Sequence, residues 1–222
     1  MSGIYVFGID VNKPSNKDID FFKCDVRDEE KIEKIIGIIT KKTEHIDYLI
    51  NSAGIFCYQQ RNFIENLSKA EWQEVIDINL TGTFLITKNF IPLLKKSSNS
   101  CIINLSSEQV VLPQVKSAPY AITKAGIEMF SKILALELIN NKVRVNTIAL
   151  ASVETDFLKN YKKDEKEFEQ MMKTTNRNMP YGIIKPYDVY ELVKFLISDS
   201  NKITGQTILV DSGVVLNRNN KK

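Results

Sequence analysis

Short apolar runs alternate with longer stretches of helical periodicity along the whole chain, and this alternation restricts the fold more than any other feature. Ile4–Ile9 reads as a strand ending at Asp10, and Asp20–Val26 as a second short strand. From Asp28 to about Lys42, Ile32, Ile35, Ile36 and Ile39 recur at helical spacing with charge on the opposite face. Asp47–Ile50 reads as a strand closed by Asn51-Ser52-Ala53-Gly54. Ser68 and Glu71 have the spacing of a capping box, and a helical pattern follows through Ile76–Leu94, interrupted near Gly82. Cys101–Leu105 is the next strand, then a long helix over Tyr120–Leu138 and a strand over Arg144–Leu150. Pro186 opens a helix running to about Ser198, and Ile208–Val210 is the last strand. The polar tail from Asn217 is expected to fray.

Strands separated by helices of ten or more residues imply parallel βαβ units. Residues 1–222 are therefore expected to form one α/β domain, a doubly wound parallel sheet in three αβα layers. Ligands of such sheets bind beyond the carboxyl ends of the strands. That rule directs attention to Asp10, Asp25, Asn51–Gly54, Ser106–Ser107 and Leu150–Thr155.

Composition closes off other classes. A 43% hydrophobic and 26% charged chain is neither disordered nor a disulfide scaffold. A net charge of +3 gives no reason to expect nucleic acid as a partner. No apolar run approaches the roughly 18 residues that span a bilayer, so no membrane partner is expected. The opening MSGIYVFGIDVNK lacks the pattern of a signal peptide. Cys24, Cys57 and Cys101 are odd in number and widely spaced, which suggests neither a metal site nor disulfides and points to a reduced, cytoplasmic setting. The lone His45 lies far in sequence from the candidate site and is given no catalytic part.

Tyr120 and Lys124 form Y-x-x-x-K, a spacing that puts an ammonium on the same helix face as a phenol. A nearby positive charge favours phenolate, which suits a tyrosine for proton exchange near neutral pH. About one such match is expected by chance, and Tyr181/Lys185 and Tyr190/Lys194 share the spacing. Context separates them. Only Tyr120 opens a helix that follows a strand ending in serines, with Ser107 thirteen residues before it.

Six segments together carry a resemblance. Asn51-Ser-Ala-Gly54, Ile78-Asn79-Leu80-Thr-Gly-Thr-Phe84, Ile102-Ile-Asn-Leu-Ser-Ser107, Tyr120-Ala-Ile-Thr-Lys124-Ala, Val143-Arg-Val-Asn146 and Gly205-Gln-Thr-Ile-Leu-Val-Asp211 stand in one order. In that order and spacing the chain resembles the short-chain dehydrogenase/reductases over nearly its whole length. The resemblance implies a Rossmann-like domain and hydride transfer with a nicotinamide cofactor, acting on a small-molecule secondary alcohol or ketone. Tyr120 would be the general acid/base, and Lys124 would lower its pKa and hold the ribose hydroxyls. Ser107 would orient the substrate oxygen, and Asn79 would hold a water in a proton relay. Asp10, at a strand end, would bond the adenosine ribose and favour NAD over NADP, with Lys13 close enough to blunt that preference. Asp25 and Val26 would contact adenine. Asn51, Ala53 and Gly54 would line the cofactor, and Thr155 would sit near the carboxamide. The helices corresponding to Ile76–Leu94 and Tyr120–Leu138 would pair in a homodimer or homotetramer.

The chain also departs from the family pattern. No three of its nine glycines have the T-G-x-x-x-G-x-G spacing that holds a pyrophosphate. Two expectations follow: Met1 is internal to a longer protein, or the Ile4–Ile9 strand shifts into the place of the family's first strand. Leu150-Ala151 replaces the usual Pro-Gly. Phe157–Met179 corresponds to the substrate lid and carries Lys159, Lys162, Lys163, Lys166, Lys173 and Arg177 among interleaved acids, the pattern of a solvated amphipathic helix. Two rival readings stand beside an NAD-linked dehydrogenase: a relic that no longer binds cofactor, and an NADPH-dependent 3-oxoacyl-carrier reductase.

Overall fold

The computed structural model describes residues 4–56, 62–155, 158, 165–198 and 202–219, with backbone alone at 165, 167, 218 and 219. Among the described residues six strands are formed: β1 (Phe7–Asp10), β2 (Asp20–Lys23), β3 (Tyr48–Asn51), β4 (Cys101–Ser107), β5 (Arg144–Leu150) and β6 (Thr207–Val210). All pairings are parallel, in the orders β1-β2 and β3-β4-β5-β6. The central β4 and β5 are buried almost throughout, as strands covered on both faces must be. Their register sets Ser107 beside Leu150, and Leu150 beside Val210, so the carboxyl ends form one edge.

The helices follow the local signals. Asp28 accepts from the Lys31 amide and opens α1 (Glu29–Ile39), which buries Ile32, Ile35 and Ile39. The capping box is made on both sides: the Glu71 amide donates to Ser68 Oγ (3.2 Å) and the Ser68 amide to Glu71 Oε2 (2.8 Å). It opens α2 (Lys69–Val75), which runs through a π-helical turn, Ile76–Thr81, into α3 (Gly82–Leu94). The interruption expected near Gly82 is this wider turn, and Asn79 lies inside it. The remaining helices are α4 (Ala118–Glu137), α5 (Glu165–Asn178), α6 (Pro186–Leu196) and α7 (Val214–Asn219). Helix α7 corrects the expected frayed tail: the chain is helical as far as Asn219, with the Val215 amide donating to Asp211 Oδ2 (2.8 Å).

The strand expected over Ile4–Ile9 starts three residues late, at Phe7, and pairs with β2. It does not shift against β3 among the described pairings, which corrects the second of the two expectations for this region. Ile4, Tyr5 and Val6 are exposed instead. The two sheets share one hydrophobic cluster in which Phe7, Ile9 and Phe22 pack with α1, α3 and Leu49. Gly82 is fixed by that cluster, because a Cβ there would lie 2.4 Å from Val26 Cγ2. Val26 is β-branched and buried, so it has little room to yield. Gly82→Ala should therefore lower stability by about 1–3 kcal/mol, the usual range for overpacking. Val26→Ala in the same chain should restore part of it, as read by paired thermal melts in a double-mutant cycle.

Candidate active site

The carboxyl ends of β4 and β5 open into a cavity of about 870 Å³. Tyr120 and Lys124 from α4, Ser106 to Gln109 from the end of β4, Leu150 to Val153 and Thr155 after β5, and Gly54 after β3 all line it. One apolar-to-polar face of α5 closes the far side through Gln170, Met171, Thr174, Thr175 and Asn178. Lys166, Lys173 and Arg177 are exposed and do not line the cavity, as a solvated amphipathic helix requires. Lys159, Lys162, Lys163 and Cys57 lie outside the described residues.

Ser107 is 3% exposed, and its hydroxyl donates to Glu108 Oε2 at 2.8 Å while accepting from the Gln109 amide at 3.2 Å. Ser107 lies close enough to the Tyr120 phenol to act on its titration. The Tyr120 ring packs against Phe56 with centroids 4.4 Å apart. Lys124 is 6% exposed and donates to the Leu105 carbonyl at 2.9 Å. Ser106 reaches the other way, donating to Glu128 Oε1 at 2.8 Å, and so ties the end of β4 to the middle of α4.

Burial dominates the electrostatics. It pushes the Tyr120 phenol well above its usual value; the Ser107 hydrogen bond pulls it down and the Glu108 charge pushes it further up. The expectation that Lys124 lowers the Tyr120 pKa needs correction. The ammonium turns to the Leu105 carbonyl and lies 5.5 Å from the ring centroid, and desolvation of the phenol wins. Burial also pushes Lys124 down, to about 8.

Asn79 is fully buried and its side chain is committed. It accepts from the Ile55 amide (2.8 Å) and donates to the Ile55 carbonyl (2.9 Å) and to Thr123 Oγ1 (3.2 Å). The π-helical turn thus clamps the segment after β3 against α4. A Cβ on Gly54 would sit 3.2 Å from Asn79 Oδ1, a tight contact, and 3.7 Å from Lys124 Nζ, an ordinary one, so the backbone runs close against both side chains.

The other expected cofactor residues divide. Asn51 turns inward, donating to Thr87 Oγ1 (2.9 Å) and Asn104 Oδ1 (2.7 Å), and Ala53 is exposed outside the cavity wall. Ser52 takes their place in the lining. Asp10 is exposed at the end of β1, with its carboxylate accepting from the Asn12 amide (2.8 Å). Asp25 is gripped by Arg27 (2.7 Å), which holds its carboxyl below the usual range, and Val26 is buried against Gly82. Thr155 lines the cavity. The competing Y-x-x-x-K pairs are elsewhere: Tyr181 is 89% exposed, and Lys194 lies 3.9 Å from Glu191 on the surface of α6. Glu108 and Gln109 were not among the residues picked from the sequence. They directly follow Ser107, so the strand-end rule carried two residues further reaches them.

A family model described as enoyl-(acyl carrier protein) reductase matches residues 10–215. The chain belongs to the short-chain dehydrogenase/reductase family. It is 32% identical over 200 residues to the 3-oxoacyl-(acyl-carrier-protein) reductase of Thermotoga maritima, covering 89% of this chain and 78% of that one. It is 31% identical over 210 residues to 2,3-dihydro-2,3-dihydroxybenzoate dehydrogenase of Bacillus subtilis, covering 92% and 79%. The structure superposes on ligand-free aldohexose dehydrogenase of Thermoplasma acidophilum with a TM-score of 0.88 and 28% identity, over 96% of this chain and 84% of that one. The chain is thus a dehydrogenase/reductase of the CH–OH/carbonyl class, with the Rossmann-like parallel α/β fold of that family.

The buried Lys124 makes a test of the geometry that does not need turnover. A fall from 10.5 to about 8 corresponds to roughly 3 kcal/mol against the folded state. The unfolded chain holds this proton more tightly, so the penalty is complete below pH 8 and fades as pH rises towards 10.5. Lys124→Met should therefore be more stable than the parent at neutral pH. Denaturant titrations should show the gap closing between about pH 8 and 10.5.

Proposed function

We propose that the chain oxidises a secondary alcohol, or reduces the matching ketone, with NAD in preference to NADP. The observation that carries this reading is the Ser107–Tyr120–Lys124 constellation at the mouth of β4, in one cavity with Thr155 and Gly54. Lys124, Tyr120 and Thr155 fit the nicotinamide-ribose end, and the Gly54 approach leaves a cradle that a side chain would fill. Asp10 fits the adenosine ribose, where a carboxylate accepts from a 2′-hydroxyl and repels a 2′-phosphate. Asp25 and Val26 would flank the adenine, and Asn51 and Ala53 would hold the neighbouring backbone in place. When bound, the dinucleotide supplies the hydride acceptor or donor.

The residues of this chain do the rest. Ser107 holds the substrate oxygen beside the phenol. Tyr120 takes the hydroxyl proton as the carbinol carbon loses hydride, and returns it in the reverse direction. Lys124 holds the ribose hydroxyls and keeps a positive charge behind the phenol. Asn79 positions the 54–55 backbone beside Lys124 and supports proton return to solvent. Exposed Phe84, Ile122, Met129, Ile133 and Leu136 on α3 and α4 support pairing into a homodimer or homotetramer. The free buried thiols of Cys24 and Cys101 support a cytoplasmic setting.

The test is absorbance of the reduced nicotinamide during oxidation of a panel of secondary alcohols, with NAD and NADP in parallel. The expected result is turnover favouring NAD, abolished by Tyr120→Phe while dinucleotide affinity stays within a few-fold. Activity surviving in Tyr120→Phe would exclude Tyr120 as the proton carrier.

A further inference from the structure

The hydroxyl proton of Ser107 is already engaged. Ser107 ends β4, Glu108 opens the 3-10 turn that follows, and the two residues are 3% and 8% exposed. Ser107 Oγ donates to Glu108 Oε2 at 2.8 Å and accepts from the Gln109 amide at 3.2 Å. The turn holds Glu108 in that place, because its carbonyl accepts from the amides of Val111 (3.0 Å) and Leu112 (2.8 Å). A hydroxyl has one proton and two lone pairs. The proton of Ser107 lies on a carboxylate and one lone pair lies on Gln109, so Ser107 meets a ligand as an acceptor. Burial, together with the charge of Glu108, keeps the nearby Tyr120 phenol protonated, so Tyr120 meets the same ligand as a donor.

We propose that Glu108 is a positioning residue that turns the Ser107 proton away from the ligand, so that the site binds the alcohol more tightly than the matching ketone. The proposal rests on the reading that Ser107 and Tyr120 meet the substrate oxygen. An alcohol oxygen accepts from the phenol, and its own proton donates to Ser107 Oγ. A ketone accepts from the phenol but has no proton to give, and its oxygen faces the Ser107 lone pair. The ketone does not draw the Ser107 proton off Glu108, because a hydrogen bond to a carboxylate is roughly twice as strong as one between neutral groups. An amide at position 108 changes the balance: its nitrogen donates to Ser107 Oγ and leaves the serine proton for a carbonyl.

Ligand-observed NMR titration of the full chain with cyclohexanol and with cyclohexanone tests this without turnover. Cyclohexanol should bind about fivefold more tightly, the order of one hydrogen bond. Glu108→Gln should bring that ratio to about one or invert it, and Glu108→Leu, which removes the acceptor outright, should do the same. The carbonyl carbon resonance of labelled cyclohexanone should move further downfield on binding to Glu108→Gln than to the parent, because a second donor then reaches its oxygen. Loosened packing alone would not move it that way. Ser107→Ala should also bring the ratio to about one. Equal affinity for the two probes in the parent chain would overturn the proposal. An alcohol preference that survives both Glu108 variants but is lost in Ser107→Ala would overturn it while leaving Ser107 at the substrate oxygen. A preference that survives Ser107→Ala would overturn that placement of Ser107 as well.

Discussion

The ammonium of Lys124, buried and bonded to the carbonyl of Leu105, is the contact on which the site depends. It joins α4 to the last turn of β4 at the level where the strand delivers Ser107. Ser106 adds a second tie from the same strand end to Glu128, one turn further along the helix. With strand and helix fixed to each other, the Tyr120 phenol has only one place to be, beside Ser107 and against Phe56. The charge that makes this contact is held out of water at a cost to stability. Stability is traded here for a preset geometry, a common arrangement at active sites.

A second constraint comes from the π-helical turn. Asn79 sits where the helix widens, and its amide meets both backbone groups of Ile55. Four elements therefore converge on the cavity mouth: the ends of β3, β4 and β5 and the first turns of α4. The segment after β3 and the end of β4 are each held by a side-chain hydrogen bond. Asn51 and Asn104 continue the pattern inside, linking β3 to β4 and β4 to Ser131 on α4. This polar chain within an otherwise apolar core sets the strands in one register.

Much of this was legible in the sequence. The alternation of short apolar runs with helical periods fixes a parallel sheet, and the segments Cys101–Ser107 and Arg144–Leu150 are apolar enough to be central. Tyr120, Lys124 and Ser107 could be chosen from three look-alike pairs by what precedes them. Other features depend on contacts distant in sequence and could not be read. Asn51 looks like a loop residue, yet its side chain is drawn inward by Thr87 and Asn104. The upward push on Tyr120 comes from the depth of the cavity rather than from the spacing to Lys124. The α5 lysines read as the solvated face of an amphipathic helix, but that the Gln170–Thr174–Asn178 face would line the cavity depends on how the helix packs. Glu108 and Gln109 were within reach of the strand-end rule but stood one and two positions past the serines.

The central claim is that the Tyr120 phenol carries the proton between substrate and solvent. The most direct measurement is the pH dependence of kcat/KM in both directions. With the phenol held above its usual value, its basic form grows about tenfold per pH step below that value. Alcohol oxidation should rise steadily from about pH 6 to about pH 9.5, while ketone reduction stays level over the same span. Oxidation that is level across that span, or fastest in acid, would contradict the account.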